Sequence, residues 1–188
     1  MPAGSRTAFV LTISDRGSVG EQEDTSGEGI AARLARLGFD VEREIVPDER
    51  RRIESMLVAA AARHPLVFTT GGTGLTPRDV TPQATLAVID YQVPGFAEAM
   101  RADGRLKTPL AILSRAVVGV RGKALIINLP GSPRAALESL AVLEPVLDHA
   151  LETLLGNQAM RHGEAVAIGM GVAGELAARR GAFDRERL

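Results

Sequence analysis

The chain contains the stretch Leu66-Val67-Phe68-Thr69-Thr70-Gly71-Gly72-Thr73-Gly74, in which a short apolar run ends in a glycine-rich loop. Thr81-Pro82 follows the loop and predicts the start of a helix, because proline is tolerated in a first helical turn. A loop between a strand and a helix N-terminus presents free backbone N–H groups, which bind phosphate. A second stretch repeats this pattern, Asn128-Leu129-Pro130-Gly131-Ser132-Pro133-Arg134. The two loops predict an enzyme that handles nucleotides or phosphates.

Strand-like and helix-like segments alternate on both sides of the first loop. Residues 8–14 and 39–46 are typical of strands, and apolar residues recur with helical spacing over 30–37 and 53–60. This alternation predicts an α/β fold, a three-layer sandwich with a mostly parallel sheet flanked by helices. The chain is long enough for one such domain.

Three further segments complete the predicted architecture. Residues 15–26 are polar and predict a loop. Residues 112–120 and 123–129 predict two strands around Arg121-Gly122, as a hairpin at the sheet edge. A long helix is predicted to begin at Ser132-Pro133, with leucines repeating along one face.

Composition excludes several classes of function. The 188 residues carry 22 Lys and Arg against 23 Asp and Glu, so the formal charge of -1 gives no global field for nucleic acid or an anionic membrane. Cysteine is absent, which excludes disulfides and thiolate chemistry. No stretch approaches the roughly 20 apolar residues of a membrane span. We therefore expect a cytoplasmic protein.

Two carboxylates are candidates for a metal site. Asp79 lies in the first glycine loop, where a phosphate would be repelled unless a cation such as Mg²⁺ intervened. Asp48 follows the second predicted strand, and the carboxyl ends of parallel strands meet in one crevice. Two structural alternatives stay open: Asp48 caps the following helix, and Asp79 makes a local turn with Val80 and Thr81. The glycines would then serve only as tight connections.

Several motifs in one fixed order carry a family resemblance. Together they closely resemble the molybdopterin adenylyltransferase family of molybdenum-cofactor biosynthesis. The match covers roughly residues 6–156, so residues 1–156 are predicted to form the molybdopterin-binding and adenylyltransferase domain. The motifs are Thr12-Ile13-Ser14-Asp15-Arg16, Glu23-Asp24-Thr25-Ser26-Gly27, Val46-Pro47-Asp48, the loop from Thr69 to Thr81, Leu113-Ser114-Arg115 and Ile127-Asn128-Leu129-Pro130-Gly131-Ser132-Pro133.

The resemblance implies a reaction and a set of ligands. The terminal phosphate of molybdopterin attacks the α-phosphorus of ATP, giving adenylylated molybdopterin and pyrophosphate. ATP is then a co-substrate, with Mg²⁺ or Mn²⁺ as the metal, since both suit oxygen ligands. Molybdopterin is the other substrate, and the family favours a homotrimer.

The resemblance also implies roles for particular residues. Asp48 and Asp79 match the catalytic carboxylates that the family uses for Mg²⁺ and ATP. Ser114 matches the pterin side, although sequence alone does not divide the contacts between nucleotide and pterin. The remaining substrate-binding positions are Ser14, Asp15 and Asp24 in the crevice of the first strand, Gly71, Gly72, Thr73 and Gly74 in the first loop, and Asn128, Pro130, Gly131 and Ser132 in the second.

The C-terminal tail, residues 157–188, resembles a different family. His162-Gly163-Glu164-Ala165-Val166-Ala167-Ile168-Gly169-Met170 is similar to a signature of 3-dehydroquinate synthase, in which the histidine is a zinc ligand. A catalytic zinc usually needs three protein ligands, and the other histidines are only His64 and His149. We therefore expect an appended helix over about Glu164 to Arg180 and no working zinc site.

Two other functions remain as alternatives. One is a non-catalytic molybdopterin-binding or scaffold protein of the same domain family, against which the retention of Asp48 and Asp79 argues. The other is a related molybdenum-insertion module, which normally sits in a larger multidomain chain.

Overall fold

A computed structural model describes residues 6–156 of the chain, whose core is one six-stranded sheet with helices on both faces. The strand order is β2-β1-β3-β6-β5-β4. The first four strands in this order are parallel, whereas β5 pairs antiparallel with both β6 and β4. The strands are β1 (Thr7–Ile13), β2 (Asp40–Val46), β3 (Leu66–Thr70), β4 (Tyr91–Gln92), β5 (Val118–Arg121) and β6 (Ala124–Leu129). The predicted α/β fold with a mostly parallel sheet is confirmed.

The described chain also contains six α-helices and one 3-10 helix. They are α1 (Asp15–Ser18), α2 (Thr25–Arg36), α3 (Arg50–Ala61), α4 (Thr81–Val88), α5 (Pro94–Arg105), the 3-10 helix Pro109–Leu113 and α6 (Pro133–Leu155). None of them, within residues 6–156, is long and apolar enough to cross a membrane.

Successive side chains of each strand point to opposite faces of the sheet, and helices cover both faces. Phe9, Leu11 and Ile13 of β1 pack with α3 and α4 in one buried cluster. The intervening Thr12 points to the other face, where its hydroxyl donates to Asp24 at the N-cap of α2. Buried leucines of α6 add to the core.

Two segments differ from the sequence prediction. The predicted loop at residues 15–26 contains the short helix α1, because Ser14 caps it by accepting a hydrogen bond from Gly17 N–H. The predicted strand at residues 112–120 begins only at Val118. Thr108 and Pro109 instead start the 3-10 helix, with the Thr108 side chain as its cap.

The chain divides into two compact units, with the boundary between Leu151 and Glu152 inside α6. All six strands belong to the first unit. His162 and the helix predicted near Glu164 to Arg180 lie outside the described residues.

Candidate active site

The two glycine-rich loops lie side by side because the strands that precede them, β3 and β6, are neighbours in the sheet. The Thr70 hydroxyl donates to the carbonyl of Pro130 at 2.7 Å. A Cβ atom built on Gly131 would come within 3.2 Å of the Gly71 Cα atom. The predicted phosphate-binding loops therefore form two walls of one crevice at the carboxyl edge of the sheet.

Gly71 and Gly72 can only be glycine in this loop. Both have positive φ angles, +99° and +62°. A Cβ atom on Gly71 would lie 2.3 Å from the Ile13 carbonyl oxygen, and one on Gly72 would lie 2.3 Å from the Thr81 hydroxyl. Thr81 in turn donates its hydroxyl to the Gly71 carbonyl at 2.9 Å. The tight turn is thus fixed by the first residue of α4.

Asp15 and Asp48 hold each other in place at the ends of β1 and β2. The Asp15 N–H donates to Asp48 Oδ2 at 3.0 Å, and the Asp48 N–H donates to Asp15 Oδ1 at 2.9 Å. The alternative that Asp48 caps the next helix is wrong: α3 has Glu49 at its N-cap position and no side-chain cap bond. The Asp48 carboxylate faces the crevice instead, where a Cβ on Gly72 would lie 3.2 Å from its Oδ1.

Asp79 is fixed by its own loop. Thr76 N–H donates to Asp79 Oδ2 at 2.7 Å, so the local turn forms upstream of Asp79 and not with Val80 and Thr81. The Arg115 guanidinium crosses the loop, donating to the carbonyls of Gly74 at 2.6 Å and of Asp79 at 2.5 Å. Arg115 thereby ties both ends of the segment that carries the carboxylate.

The three carboxylates have different proton affinities. Burial raises the pKa of Asp48 above its ordinary value, and the charges of Asp15 and Asp79 add to this effect. The hydrogen bond from Arg78 lowers the pKa of Asp15. Burial would also raise the pKa of Asp79, but hydrogen bonds from Thr76 and the Gly74 backbone hold it below its ordinary value. The charge of Asp79 thus reaches Asp48 across the first glycine loop.

This donor set fits magnesium shared with phosphates. Within residues 6–156, no three His, Asp or Glu side chains are grouped to hold a metal ion by themselves. Mg²⁺ is commonly bound by one or two carboxylates together with substrate phosphates, and Asp48 and Asp79 are two carboxylates beside the first glycine loop. Their hard oxygen atoms suit Mg²⁺ or Mn²⁺.

A polar cavity of about 120 Å³ lies where Gly71 of the first loop and Gly131 of the second meet the start of α2. The Asp24 carboxylate lies there, accepting hydrogen bonds from the Gly27 N–H and the Thr12 hydroxyl. Ser26 donates its hydroxyl to the Gly131 carbonyl at 2.7 Å, which joins α2 to the second loop. The predicted site residues that line this cavity are Ser14, Asp24, Gly71 and Gly131.

A second cavity of about 290 Å³ opens on the other side of the first loop. Apolar residues of α5 and the 3-10 helix, including Met100 and Leu110, form much of its wall. Arg101 and Lys107 are cationic residues of its lining, and Lys107 pairs with Asp103 and Glu138. The predicted site residues on this cavity are Thr73, Gly74, Ser114 and Pro130.

Two predicted residues of the second loop have different environments. Asn128 is fully buried, and its carboxamide donates to Thr69 and Thr85 hydroxyls and accepts the Val117 N–H. It therefore braces the sheet beneath the loop and is not on the crevice surface. Ser132 is exposed at the start of α6, where its carbonyl accepts the Ala136 N–H at 2.8 Å.

Sequence reasoning missed the roles of Arg78 and Arg115. Both lie inside the quoted motifs, next to Asp79 and Ser114 respectively. Their position next to a candidate site residue was the one sign in the sequence that they belong to the site. Their partners, Asp15 and the loop carbonyls, come from distant positions in the chain, so only the fold could identify them.

Comparison with known proteins gives a separate result for the tail. A model described as "3-dehydroquinate synthase C-terminal" matches residues 146–188. This confirms the resemblance of the tail to that family. The match spans less than a quarter of this chain and begins within α6.

The main part of the chain matches a different family model, described as "Probable molybdopterin binding domain", over residues 9–149. Molybdopterin adenylyltransferase of Helicobacter pylori is 43% identical over 153 residues, covering 79% of this chain and 87% of that protein. Its counterpart in Escherichia coli K12 is 44% identical over 137 residues, covering 70% of each chain.

Solved structures agree with the sequence matches. The molybdopterin biosynthesis enzyme MoaB of Thermus thermophilus is 50% identical, with a TM-score of 0.75 over 80% of this chain and 96% of that one. The tungsten cofactor synthesizing protein MoaB of Pyrococcus furiosus is 33% identical, with a TM-score of 0.74 over 80% and 98% of the two chains. The chain therefore belongs to the molybdenum-cofactor biosynthesis family that is defined by the molybdopterin-binding domain.

Proposed function

We propose that this protein is a molybdopterin adenylyltransferase. An oxygen of the terminal phosphate of molybdopterin attacks the α-phosphorus of ATP, a new P–O bond forms, and the bond to the β-phosphate breaks to release pyrophosphate. The observation that carries this proposal is the meeting of two glycine-rich loops with Asp48 and Asp79 in one crevice. Family membership, with relatives of that name at 43–44% identity, supports it.

The chain's own groups suit this reaction by position and charge. Nucleotidyl transfer needs aligned phosphates and neutralised charge more than it needs a covalent protein intermediate. Backbone N–H groups of the first loop, with its turn fixed by Thr81, are candidates to bind phosphate oxygens. The N-terminus of α6 adds a partial positive charge beside the second loop.

Mg²⁺ is proposed to be held by Asp48 and Asp79 together with the phosphates, and when bound it neutralises charge that builds up during transfer. The low pKa of Asp79 keeps that carboxylate ionised and ready to bind a cation. Partial burial disfavours the ionised form of Asp48, and a nearby cation would stabilise that form.

The two cavities suggest a division of the substrates. The larger cavity is lined mostly by apolar atoms and carries Ser114 at its wall, which suits a flat heterocycle such as the pterin. The smaller polar cavity carries Ser14, Asp24 and Gly131, groups that suit the polar parts of a nucleotide. The first glycine loop lies between them, where transfer would take place.

Assembly, location and domain limits are further parts of the proposal. Membership of the family favours a homotrimer, and the absence of cysteine fits the cytoplasm. Residues 1–156 are proposed to form the catalytic domain, and residues 157–188 an appended tail that supplies no zinc chemistry.

The test follows the label from ATP to the pterin. With α-labelled ATP, Mg²⁺ and molybdopterin, the proposal predicts that label moves to molybdopterin, whereas γ-label leaves as pyrophosphate. Transfer of γ-label to the pterin would contradict adenylyl transfer. Tight binding of molybdopterin with no movement of either label would favour the non-catalytic binding protein.

A further inference from the structure

An arginine of the first glycine loop reaches the segment that follows β1. Arg78 Nε lies 3.0 Å from Asp15 Oδ2, and its Nη2 lies 2.5 Å and 2.6 Å from the two carboxylate oxygens. Asp15 follows β1, whereas Arg78 follows β3. The guanidinium therefore joins the first glycine loop to the start of α1, and both segments belong to the candidate active site.

Asp15 does not depend on Arg78 for its position. Its Oδ1 accepts the Asp48 N–H, and its own N–H donates to Asp48 Oδ2. Arg78 and Asp15 have side-chain exposures of 59% and 45%, and exposed ion pairs contribute little to folding stability. Arg78 can therefore leave this partner at low cost while Asp15 stays in place.

The negative charge of a bound nucleotide would attract the Arg78 guanidinium. The crevice holds the carboxylates of Asp15, Asp48 and Asp79, and Glu49 also acts on Arg78. A triphosphate adds about four negative charges, which one divalent cation does not balance. A guanidinium matches phosphate as well as carboxylate, because its planar fork donates two parallel hydrogen bonds to either.

The position of Arg78 indicates which phosphates it meets. Gly71 and Thr73 are buried at the base of the loop, whereas Arg78 is exposed at its rim. A triphosphate whose α-phosphate is at the base extends its β- and γ-phosphates towards the rim. We propose that Arg78 exchanges Asp15 for the β- and γ-phosphates of the bound nucleotide, and so holds the pyrophosphate leaving group. This inference rests on the proposed adenylyl transfer.

The test compares nucleotides with and without those phosphates, by titration calorimetry on the whole protein. Arg78→Gln is expected to weaken binding of Mg²⁺–ATP and of Mg²⁺–pyrophosphate by about tenfold or more, and to leave AMP binding and the melting temperature unchanged. Arg78→Lys keeps the charge without the fork and is expected to restore part of the loss. Arg33→Gln is the matched control, because Arg33 makes an exposed bidentate pair with Glu144 on α6.

The following outcomes would overturn the inference or the proposed function on which it rests. Equal weakening of ATP and AMP would show that Arg78 supports the loop and not the phosphates. Unchanged ATP binding in both Arg78 variants would show that the guanidinium stays on Asp15. If the unaltered protein bound neither ATP nor AMP, the proposed function itself would fail, whereas normal adenylyl transfer with no phosphate-specific effect would contradict only the role of Arg78.

Discussion

Asp48 and Asp79 are neighbours in the crevice with opposite effects on stability. The pKa of Asp48 is raised, so the stability it contributes is present below its ordinary pKa and is lost as the pH rises through its higher folded-state value. The pKa of Asp79 is lowered, so its contribution is present above its ordinary pKa and is lost as the pH falls through the lower folded-state value. At pH 7, therefore, ionisation of Asp48 lowers the stability of the fold and ionisation of Asp79 raises it.

Replacing each carboxylate with its uncharged isostere should therefore separate stability from activity. At pH 7 we expect Asp48→Asn to raise the melting temperature, since the amide oxygen still accepts the Asp15 N–H, and Asp79→Asn to lower it. Both should reduce adenylyl transfer by about a hundredfold or more. Thermal unfolding at pH 7 and pH 3 checks the sign, because the gain from Asp48→Asn should disappear at the lower pH. A loss of stability in Asp48→Asn at pH 7 would contradict the burial argument.

The first glycine loop is an element whose shape depends on contacts at both ends. We expect Gly72→Ala to destabilise the protein by more than the roughly 1–2 kcal/mol of a positive φ, because its Cβ would also meet the Thr81 hydroxyl. Gly20→Ala is the control, since Gly20 has φ +77° and nothing within 4 Å of the added Cβ. Chemical denaturation measures both. Equal losses of unfolding free energy in the two variants would mean that the Thr81 side chain moves away from the added Cβ at no cost, and would contradict this account.

Arg115 holds the second half of the same loop, from Gly74 to Asp79. Arg115 holds the carbonyls of Gly74 and Asp79 with two different nitrogens of one planar group, and lysine has all its donors on a single nitrogen. Arg115→Lys is therefore expected to lower the transfer rate by about tenfold through a misplaced Asp79. Arg121→Lys is the control, because Arg121 donates to the Val88 carbonyl away from the loop. Steady-state kinetics of both variants, with melting temperatures, would contradict this positioning role if the two losses were equal.

The chain as a whole combines a match to one family over residues 9–149 with a match to another over residues 146–188. If the first unit carries the whole reaction, a protein ending at Gly156 should keep the transfer rate of the full chain. His162→Ala should likewise leave transfer unchanged, with or without added zinc. Activity and oligomeric mass of the shortened protein check this. A large loss of either would assign the tail a part in the site or the assembly.

Sequence predicted those parts of this architecture that depend on local pattern. The alternating elements and the glycine turns follow from apolar spacing and backbone geometry, and β1 to β3 appear near their predicted positions. Asp48 was harder, because an aspartate before a helix is a common cap. Its actual partner, Asp15 at the start of α1, is distant in sequence. The buried environment of Asn128 was equally hard to predict, because its partners on β3 and α4 are distant in sequence.

Pyrophosphate release tests most directly whether the two loops and two carboxylates form a nucleotidyl-transfer site. It is measured with ATP and Mg²⁺, with and without molybdopterin, on the full chain and on Asp79→Asn. We predict release that requires molybdopterin and falls by about a hundredfold or more in the variant. Release at the same rate without molybdopterin, or unchanged release in Asp79→Asn, would contradict the assignment of this crevice.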